Sequence, residues 1–484
     1  MGRVREAKNR VRSFFQKRQR DTELDVEIAA HLEMAVEEHM RQGMPLDEAR
    51  RQALVRFGGV QQATERQRES RGLPWLDILL QDFRFTLRTL RKDRSFSLIA
   101  VLILGLGIGA NIAVFSVVNT MLLRPLPFPH PEQLVRILTK NPTGGESGMT
   151  YSADATEEYQ RRNHSLQEVS GYFAFSGPDN LKLIGKDQPR PVTGLLVGEN
   201  FFHTLGVEPV LGRQFRPEEC VHNGRPVALL SHAFWERQFA GNPALVGQSI
   251  NLDGTGVTVI GVLPETFDFG SVFSPGAKID LYTPAILDDM RDWGNIMALV
   301  GRMKPRTTLA QAQAEADLLF PRLLFNAKHP EYGGGYTGRV LGLKDYVSGK
   351  LRQSLIVLWC AVGMILLIVC VNLANLLLAR AAARSKEFAM RSALGAGRGR
   401  LIRQLLTESL TLSLAGAVVG LVIAFAVTRY LAHQGSIALP LLASVRIDGA
   451  ALGWTMLIAI LAAVLFGLVP GLRISSGNLQ EALK

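Results

Sequence analysis

Hydrolysis of a nucleotide on a P-loop requires the run GxxxxGK followed by Ser or Thr, because backbone amides hold the phosphates while the lysine reaches them. Two Gly-Lys pairs occur, Gly185-Lys186 and Gly349-Lys350. Neither is followed by Ser or Thr, and neither has a glycine at the required upstream spacing. No HExxH, CxxC or GxSxG run is present, and the nine histidines are scattered without metal-ligand spacing. Three cysteines give no disulfide framework. Cys220 reads as a single thiol in a long loop, and Cys360 and Cys370 as small packing residues inside an apolar run. The unusual concentration of polar groups lies elsewhere, in EFAMRSALGAGRGRLIRQLLTESL, residues 387–410. That stretch holds four arginines, three glycines and two acids between two long apolar runs. Its chemistry is charge pairing, not bond-making.

The elements that hold this segment are apolar. Four windows carry no charged side chain: 95–123, 353–379, 409–428 and 449–472, of 29, 27, 20 and 24 residues. About 20 apolar residues cross a hydrocarbon core as a helix, so each window qualifies as a transmembrane helix. The first apolar run begins only after residue 95, too late for a cleavable signal peptide. Lysines and arginines set the orientation. Arg84, Arg88, Arg91, Lys92 and Arg94 precede the first window, and seven basic residues lie in 380–408. The stretch 124–354 carries 23 basic and 24 acidic residues, so the net charge of +11 sits on one side of the membrane. The expectation is a multi-pass protein of the bacterial cytoplasmic (inner) membrane with both termini inside and a large domain outside. The basic excess suits anionic membrane lipids, and no motif for nucleic acid is present.

Periodicity divides the rest. Residues 1–72 read as a cytoplasmic helical prefix, with one helix ending near Gly43 and a second opened by Pro45 and closed by Gly58 and Gly59. Residues 73–94 read as an interfacial elbow helix: Leu76, Leu79, Leu80, Phe83, Leu87 and Leu90 form one face, opposite Arg84, Arg88 and Arg91. In the first span Gly105 and Gly109 have GxxxG spacing, which admits a close helix neighbour. Asn111 and Asn119, with Asn372 and Asn375 in the second span, are polar groups expected to face protein and bond between helices. The outer domain mixes strand and helix signals, so the fold class is an α-helical membrane protein with four transmembrane helices plus an α+β extracytoplasmic domain. INLDGTGVTVIGVLP predicts a hairpin turning at Asp253-Gly254, RPVALLSHAFWERQF a strand then a helix, and Thr308 with Gln311 a capping box. Phe201, Phe202, Phe234, Trp235 and Phe239 are expected in the core, with an apolar binding cleft as the alternative.

Several long stretches resemble one family. GIGANIAVFSVVNTMLLRPLPFPHPEQLVRI, LVGENFFHTLGVEPVLGRQF, VALLSHAFWERQFAGNPALVGQSINLDGTGVTVIGVLP and RSKEFAMRSALGAGRGRLIRQLLTESLTLSLAGAVVGL are similar to MacB/FtsX-type ABC transporter permeases. The prefix is similar to that of the duplicated orphan permeases (ADOP), of which this chain resembles a single repeat; no internal repeat is present. The resemblance implies a MacB-like periplasmic core domain at 124–352, spans at 95–123, 353–379, 409–428 and 449–472, a cytoplasmic coupling segment at 380–408, a short outer loop at 429–448 and a tail at 473–484. It implies a permease subunit that takes ATP-driven motion from a separate cytoplasmic ABC ATPase and relays it to the outer domain, for export or envelope mechanotransmission. The chain itself would bind no cofactor, and a second permease copy, as homodimer or pseudo-dimer, is a further partner. The coupling residues implied are Glu387, Phe388, Arg391, Leu394, Gly395 and Arg400, with the Gly395–Gly399 run as hinge or helix stop. Phe388, Ala389 and Ser392 depart from the Ile, Gly and Arg usual in that family. The rival expectations are a non-transporting membrane scaffold or signal relay, and an inactive half-permease.

Overall fold

In a computed structural model the described residues are 30, 33–41, 43–57, 74–140, 146–147, 150–185, 188–323, 337–383, 398–433, 441, 445 and 447–476. They fall into two units. One comprises Met1–Leu104, Val369–Gly416 and Ala459–Lys484, and the other Gly105–Ile368 and Ala417–Ile458.

Among the described residues, four helices are long and apolar enough to cross a membrane: Arg94–Leu123, Leu343–Arg380, Ile402–Leu431 and Gly449–Leu468. Before them, helix α1 spans Leu46–Phe57, following a turn at Gly43 whose φ is +88°. Helix α2, Pro74–Lys92, covers the amphipathic stretch and presents Arg84, Arg88 and Arg91 as exposed. After a one-residue break at Asp93, α3 runs Arg94–Val118. The Ser97 hydroxyl bridges that break, donating to the carbonyls of Leu90 at 2.9 Å and Asp93 at 3.0 Å. A π-helical turn, Asn119–Leu123, ends the first span, and Arg124 N closes it on Asn119 O at 2.8 Å.

The domain between the first two spans is built on a 13-stranded mixed sheet. Its strands are β1 Leu134–Lys140, β2 Glu146–Ser147, β3 Leu166–Phe173, β4 Leu181–Ile184, β5 Arg190–Val192, β6 Gly194–Val197, β7 Leu211–Gly212, β8 Val227–Leu230, β9 Ser249–Leu252, β10 Thr255–Val262, β11 Leu281–Pro284, β12 Met297–Met303 and β13 Thr337–Gly342. The order is β13-β1-β12-β3-β6-β11-β8-β10-β9-β4-β5, with β2 on β1 and β7 on β10. Among the strand pairs of the described residues, only β6–β11 and β8–β10 are parallel. Five helices pack on it: α4 Ala153–Arg162, α5 Phe201–Leu205, α6 His232–Phe239, α7 Phe269–Val272 and α8 Leu309–Leu323. β8 and β12 are buried at every residue; β8 reads as an unbroken apolar run, whereas β12 carries Arg302, which donates to the carbonyls of Thr204 and Pro129.

Local chemistry sets these elements. Asp253 and Gly254 have φ of +51° and +90°, the left-handed pair that closes a two-residue hairpin between β9 and β10. Ser231 caps α6 by accepting from Phe234 N at 3.3 Å. Thr308 and Gln311 form the reciprocal capping box of α8: Thr308 N donates to Gln311 Oε1 at 2.9 Å and Gln311 N to Thr308 Oγ1 at 3.3 Å. The central core is aromatic, with Tyr172, Phe201, Phe202, Phe267, Phe269, Phe273 and Tyr282 in one cluster. Phe234, Trp235 and the partly buried Phe239 belong to a second cluster beneath α6. All five aromatics assigned to core from sequence therefore pack inside.

Three long helices follow. α9, Leu343–Ala383, starts inside the domain, because Leu343 and Val347 belong to the aromatic cluster, and begins ten residues before its charge-free window. α10 runs Arg398–His433 and α11 Gly449–Ser476.

Candidate functional site

Glu387, Phe388, Arg391, Leu394 and Gly395 lie outside the described residues. Arg400 stands in the first turn of α10. Gly399 lies in the first turn of that helix, whose first residue is Arg398, and Gly395 and Gly397 lie outside the described residues.

The stems on either side of that segment are tied by charge. The Arg380 guanidinium, near the end of α9, donates to Glu408 Oε1 of α10 at 2.8 Å and also pairs with Asp93 between α2 and α3. Its carbon sits 4.8 Å from the centroid of the Phe96 ring, a cation–π contact. Arg380 and Glu408 side chains are only 14 % and 10 % exposed, so the pair is drier than an ordinary surface bridge. One turn further into α10's start, Arg403 Nε donates to Asp82 Oδ2 of α2 at 2.8 Å. Sequence reasoning treated Arg380 and Arg403 as generic inside-positive residues. The signal available was that Arg380 and Glu408 are the charges bounding two apolar windows, where a desolvated charge needs a partner.

The six packing residues divide. A Cβ added to Gly109 would stand 2.9 Å from Gly420 O, and one on Gly420 would stand 2.9 Å from Gly105 O and Gly109 N. The GxxxG pair thus meets a glycine of α10 at backbone contact. Asn111 Nδ2 donates to Val362 O of α9 at 3.1 Å and to its own helix at Gly107 O. Asn119 Nδ2 donates to Asp448 Oδ2 at 3.2 Å. Asn372 and Asn375, by contrast, are exposed on α9.

Asp448 organises the other ends of these helices. Arg124 Nη2 donates to it at 2.7 Å, and its second oxygen caps α11 through Ala451 N at 2.8 Å. Lys344 Nζ of α9 donates to Arg124 O at 2.5 Å. Burial opposes ionisation of Asp448, but the Ala451 amide, Arg124 and Asn119 outweigh it and hold the carboxyl below its usual range. Phe115, Trp359 and Trp454 pack together nearby, with ring centroids 5.0 Å apart for Phe115–Trp454 and 5.4 Å for Trp359–Trp454.

Within the domain, burial pushes the Cys220 thiol up to about 12, aided by Glu199 and Glu219, which leaves it protonated and unreactive at neutral pH. Among the described residues no group of His, Cys, Asp and Glu has the makings of a metal site. Arg136, buried in β1, lies 5.2 Å from the Tyr172 ring centroid and 5.3 Å from that of Tyr346 in the first turns of α9. That contact clamps the root of the helix to the sheet. Next to Tyr172 on β3, where Phe173 pairs with Met297, Phe175 and Trp293 pack edge-on against Phe173 while remaining 64 % and 54 % exposed.

Four apolar helices and a mixed-sheet domain between the first two define a polytopic membrane protein with a large domain of periplasmic type. Residues 97–319 match the MacB-like periplasmic core domain, and residues 359–479 the FtsX-like permease C-terminal region. The chain belongs to the MacB/FtsX-type ABC transporter permeases. It is 25 % identical over 243 residues to the macrolide export ATP-binding/permease protein MacB of Burkholderia thailandensis, covering 48 % of this chain and 34 % of that protein. The MacB of Vibrio parahaemolyticus is 25 % identical over 313 residues, 63 % of this chain and 44 % of that one. The uncharacterized ABC transporter permease YvrN of Bacillus subtilis is 23 % identical over 426 residues, 84 % of this chain and 100 % of that one. The chain thus spans about a third of the length of the first of these relatives. Among solved structures, the periplasmic region of MacB from Actinobacillus actinomycetemcomitans is 15 % identical, covering 47 % of this chain and 94 % of that one at a TM-score of 0.33. The extracellular domain of the noncanonic ABC-type transporter YknZ from Gram-positive bacteria is 14 % identical, covering 43 % and 99 % at a TM-score of 0.31.

Proposed function

We propose that this chain is a permease subunit which couples a separate cytoplasmic ABC ATPase to movement of its periplasmic-type domain. The observation that carries the reading is the ionic stem around the basic segment. Arg380 joins α9, α10 and the α2–α3 junction, so a push on residues 384–397 reaches three helices together. At the far end of its helix, α9 is rooted in the domain core through Leu343 and Val347. ATP enters only through the partner, since the sequence offers no P-loop of its own. The basic segment and the tail face the cytoplasm of the inner membrane, Arg391 and Arg400 pair with acids of the ATPase or with lipid phosphates, and Phe388 and Leu394 fill an apolar groove on the ATPase. A second copy of the chain completes the transporter. Rigid helices moving as bodies suffice for such a relay.

The test uses the full chain with the ABC ATPase that co-purifies with it. Phe388→Asp and Arg391→Glu are expected each to weaken ATPase binding at least tenfold and to abolish stimulation of ATP hydrolysis. Unchanged binding and stimulation in both variants would sink the coupling assignment.

A further inference from the structure

Helix α2 turns three different edges to its surroundings. At about 100° per residue, Asp82, Thr86 and Asp93 fall on one edge and Phe83, Leu87 and Leu90 on the next. Arg84, Arg88 and Arg91 form a third, on the side away from the acids. The acidic edge is tied to the other helices. Asp82 Oδ2 accepts from Arg403 Nε of α10 at 2.8 Å, Asp93 pairs with Arg380 of α9, and Thr86 between them is buried. The basic edge is not. Arg84, Arg88 and Arg91 are exposed, and among the described residues none of the three meets a carboxylate.

The two ties also fix how α2 lies. Asp82 and Asp93 are eleven residues apart, about 16 Å along a helix. Asp82 meets α10 at Arg403, and Asp93 reaches it through Arg380 at Glu408; those two positions are five residues apart, about 7 Å along α10. α2 therefore crosses α10 obliquely instead of running beside it. An amphipathic helix so placed at the start of a span rests on the leaflet with its apolar edge in the lipid and its flanks at the depth of the phosphates. Phe83 on that edge is exposed, and the span that starts at Arg94 exposes Leu98, Ile99 and Leu102 in continuation. Like charges spaced i, i+4 and i+7 repel one another unless an anion lies among them. A guanidinium holds phosphate through two parallel N–H bonds, which makes phosphate the fitting anion.

We propose that Arg84, Arg88 and Arg91 are a binding row for the headgroup phosphates of acidic phospholipids in the leaflet on which α2 lies. Asp82 and Asp93 position the row, because their bonds to Arg403 and Arg380 turn the opposite edge of the helix outward. The occupant is the lipid surface and not a soluble phosphate, since the apolar edge beside the row is exposed and continues into the first span. The inference does not depend on the permease reading: it concerns a contact between this chain and lipid alone.

The experiment titrates the full-length chain, in a neutral detergent, with phosphatidylglycerol, phosphatidylcholine or inorganic phosphate and follows its thermal unfolding midpoint. Phosphatidylglycerol is expected to raise the midpoint saturably, and the other two to leave it in place. Arg84→Gln, Arg88→Gln and Arg91→Gln together are expected to weaken the apparent affinity for phosphatidylglycerol about a hundredfold. The triple Arg84→Lys, Arg88→Lys, Arg91→Lys keeps the charge and is expected to stay within about threefold of the parent. A control of equal charge change on exposed residues of the outer domain, Lys182→Gln, Arg225→Gln and Lys278→Gln, should leave the titration unaltered. An equal response of the glutamine triple overturns the proposal, as does equal weakening by the outer-domain control. A shift produced as well by phosphatidylcholine or by inorganic phosphate overturns it too. ATPase binding is measured on the same variants. A glutamine triple that binds phosphatidylglycerol normally but loses the ATPase makes the row a protein contact, which also overturns it. The lipid titration contains no ATPase, so its failure is distinct from a failure of coupling at Phe388→Asp and Arg391→Glu.

Discussion

Arg380 shows how one residue acquires meaning from its surroundings. In the sequence it is one of seven basic residues in 380–408 and follows the inside-positive bias. In the structure it is the cation shared by Glu408 and Asp93, stacked over Phe96 and almost covered. Charged hydrogen bonds of this kind contribute about 2 kcal/mol each when a partner is left without replacement. Arg380→Ala is therefore expected to lower stability by about 2 kcal/mol in thermal unfolding of the detergent-solubilised chain. Combined with Glu408→Gln it should cost less than the sum of the two single changes, with an interaction energy of about 1 kcal/mol. Additive losses would show that the pair is not coupled. Arg403, 40 % exposed in its bridge to Asp82, contributes far less.

At the scale of elements, the distinction between what the sequence revealed and what it concealed is physical. Hairpin, capping box and helix starts were readable because their causes are local: Asp253-Gly254 supplies two left-handed residues, and Thr308 and Gln311 bond each other across one turn. The partners of Asn111, Asn119 and Arg380 lie 251, 329 and 287 residues away for Val362, Asp448 and Asp93, and no local pattern announces them. The same holds for Gly420, whose role appears only when α10 meets Gly105 and Gly109. Asp448 ties three helices this way: it caps α11, holds Arg124 and Asn119 after α3, and through Arg124 O reaches Lys344 of α9. Its carboxyl is held below its usual range, so this stabilisation is fully present above the ordinary carboxylate range and is lost as pH falls through the lowered value. Asp448→Asn is expected to be about 2 kcal/mol less stable than the parent at pH 7. The gap should close in acid, once the parent's carboxyl is protonated too; a difference independent of pH would argue that charge plays no part.

Across the whole molecule, the sequence disclosed family and span number through its long apolar windows, while the sheet order of the domain, with β6–β11 and β8–β10 its parallel pairs, came only from structure. Charge distribution makes a prediction at this scale. The domain stretch is nearly neutral and the basic excess flanks the spans, so both termini should share the cytoplasmic side. In a cysteine-free background, a membrane-impermeant maleimide applied to intact cells should label Asn223→Cys, on an exposed turn of the domain, and not Lys484→Cys until the membrane is opened. Labelling of both in intact cells would reverse the assigned orientation of the tail.

The π-helical turn at Asn119–Leu123 has a bearing on how the chain tolerates change. Each residue of an α-helix advances its successor by about 100° around the axis. Within this turn the bond from Arg124 N reaches back five residues instead of four, so the first span carries one residue more than an unbroken α-helix would need. That surplus residue fixes the azimuth at which Arg124 leaves the span and meets Asp448. Thr120 and Met121 are buried there, with Thr120 Oγ1 donating to Ser116 O at 2.8 Å, and deletion of one residue of the turn would swing the guanidinium about a quarter-turn away from its carboxylate.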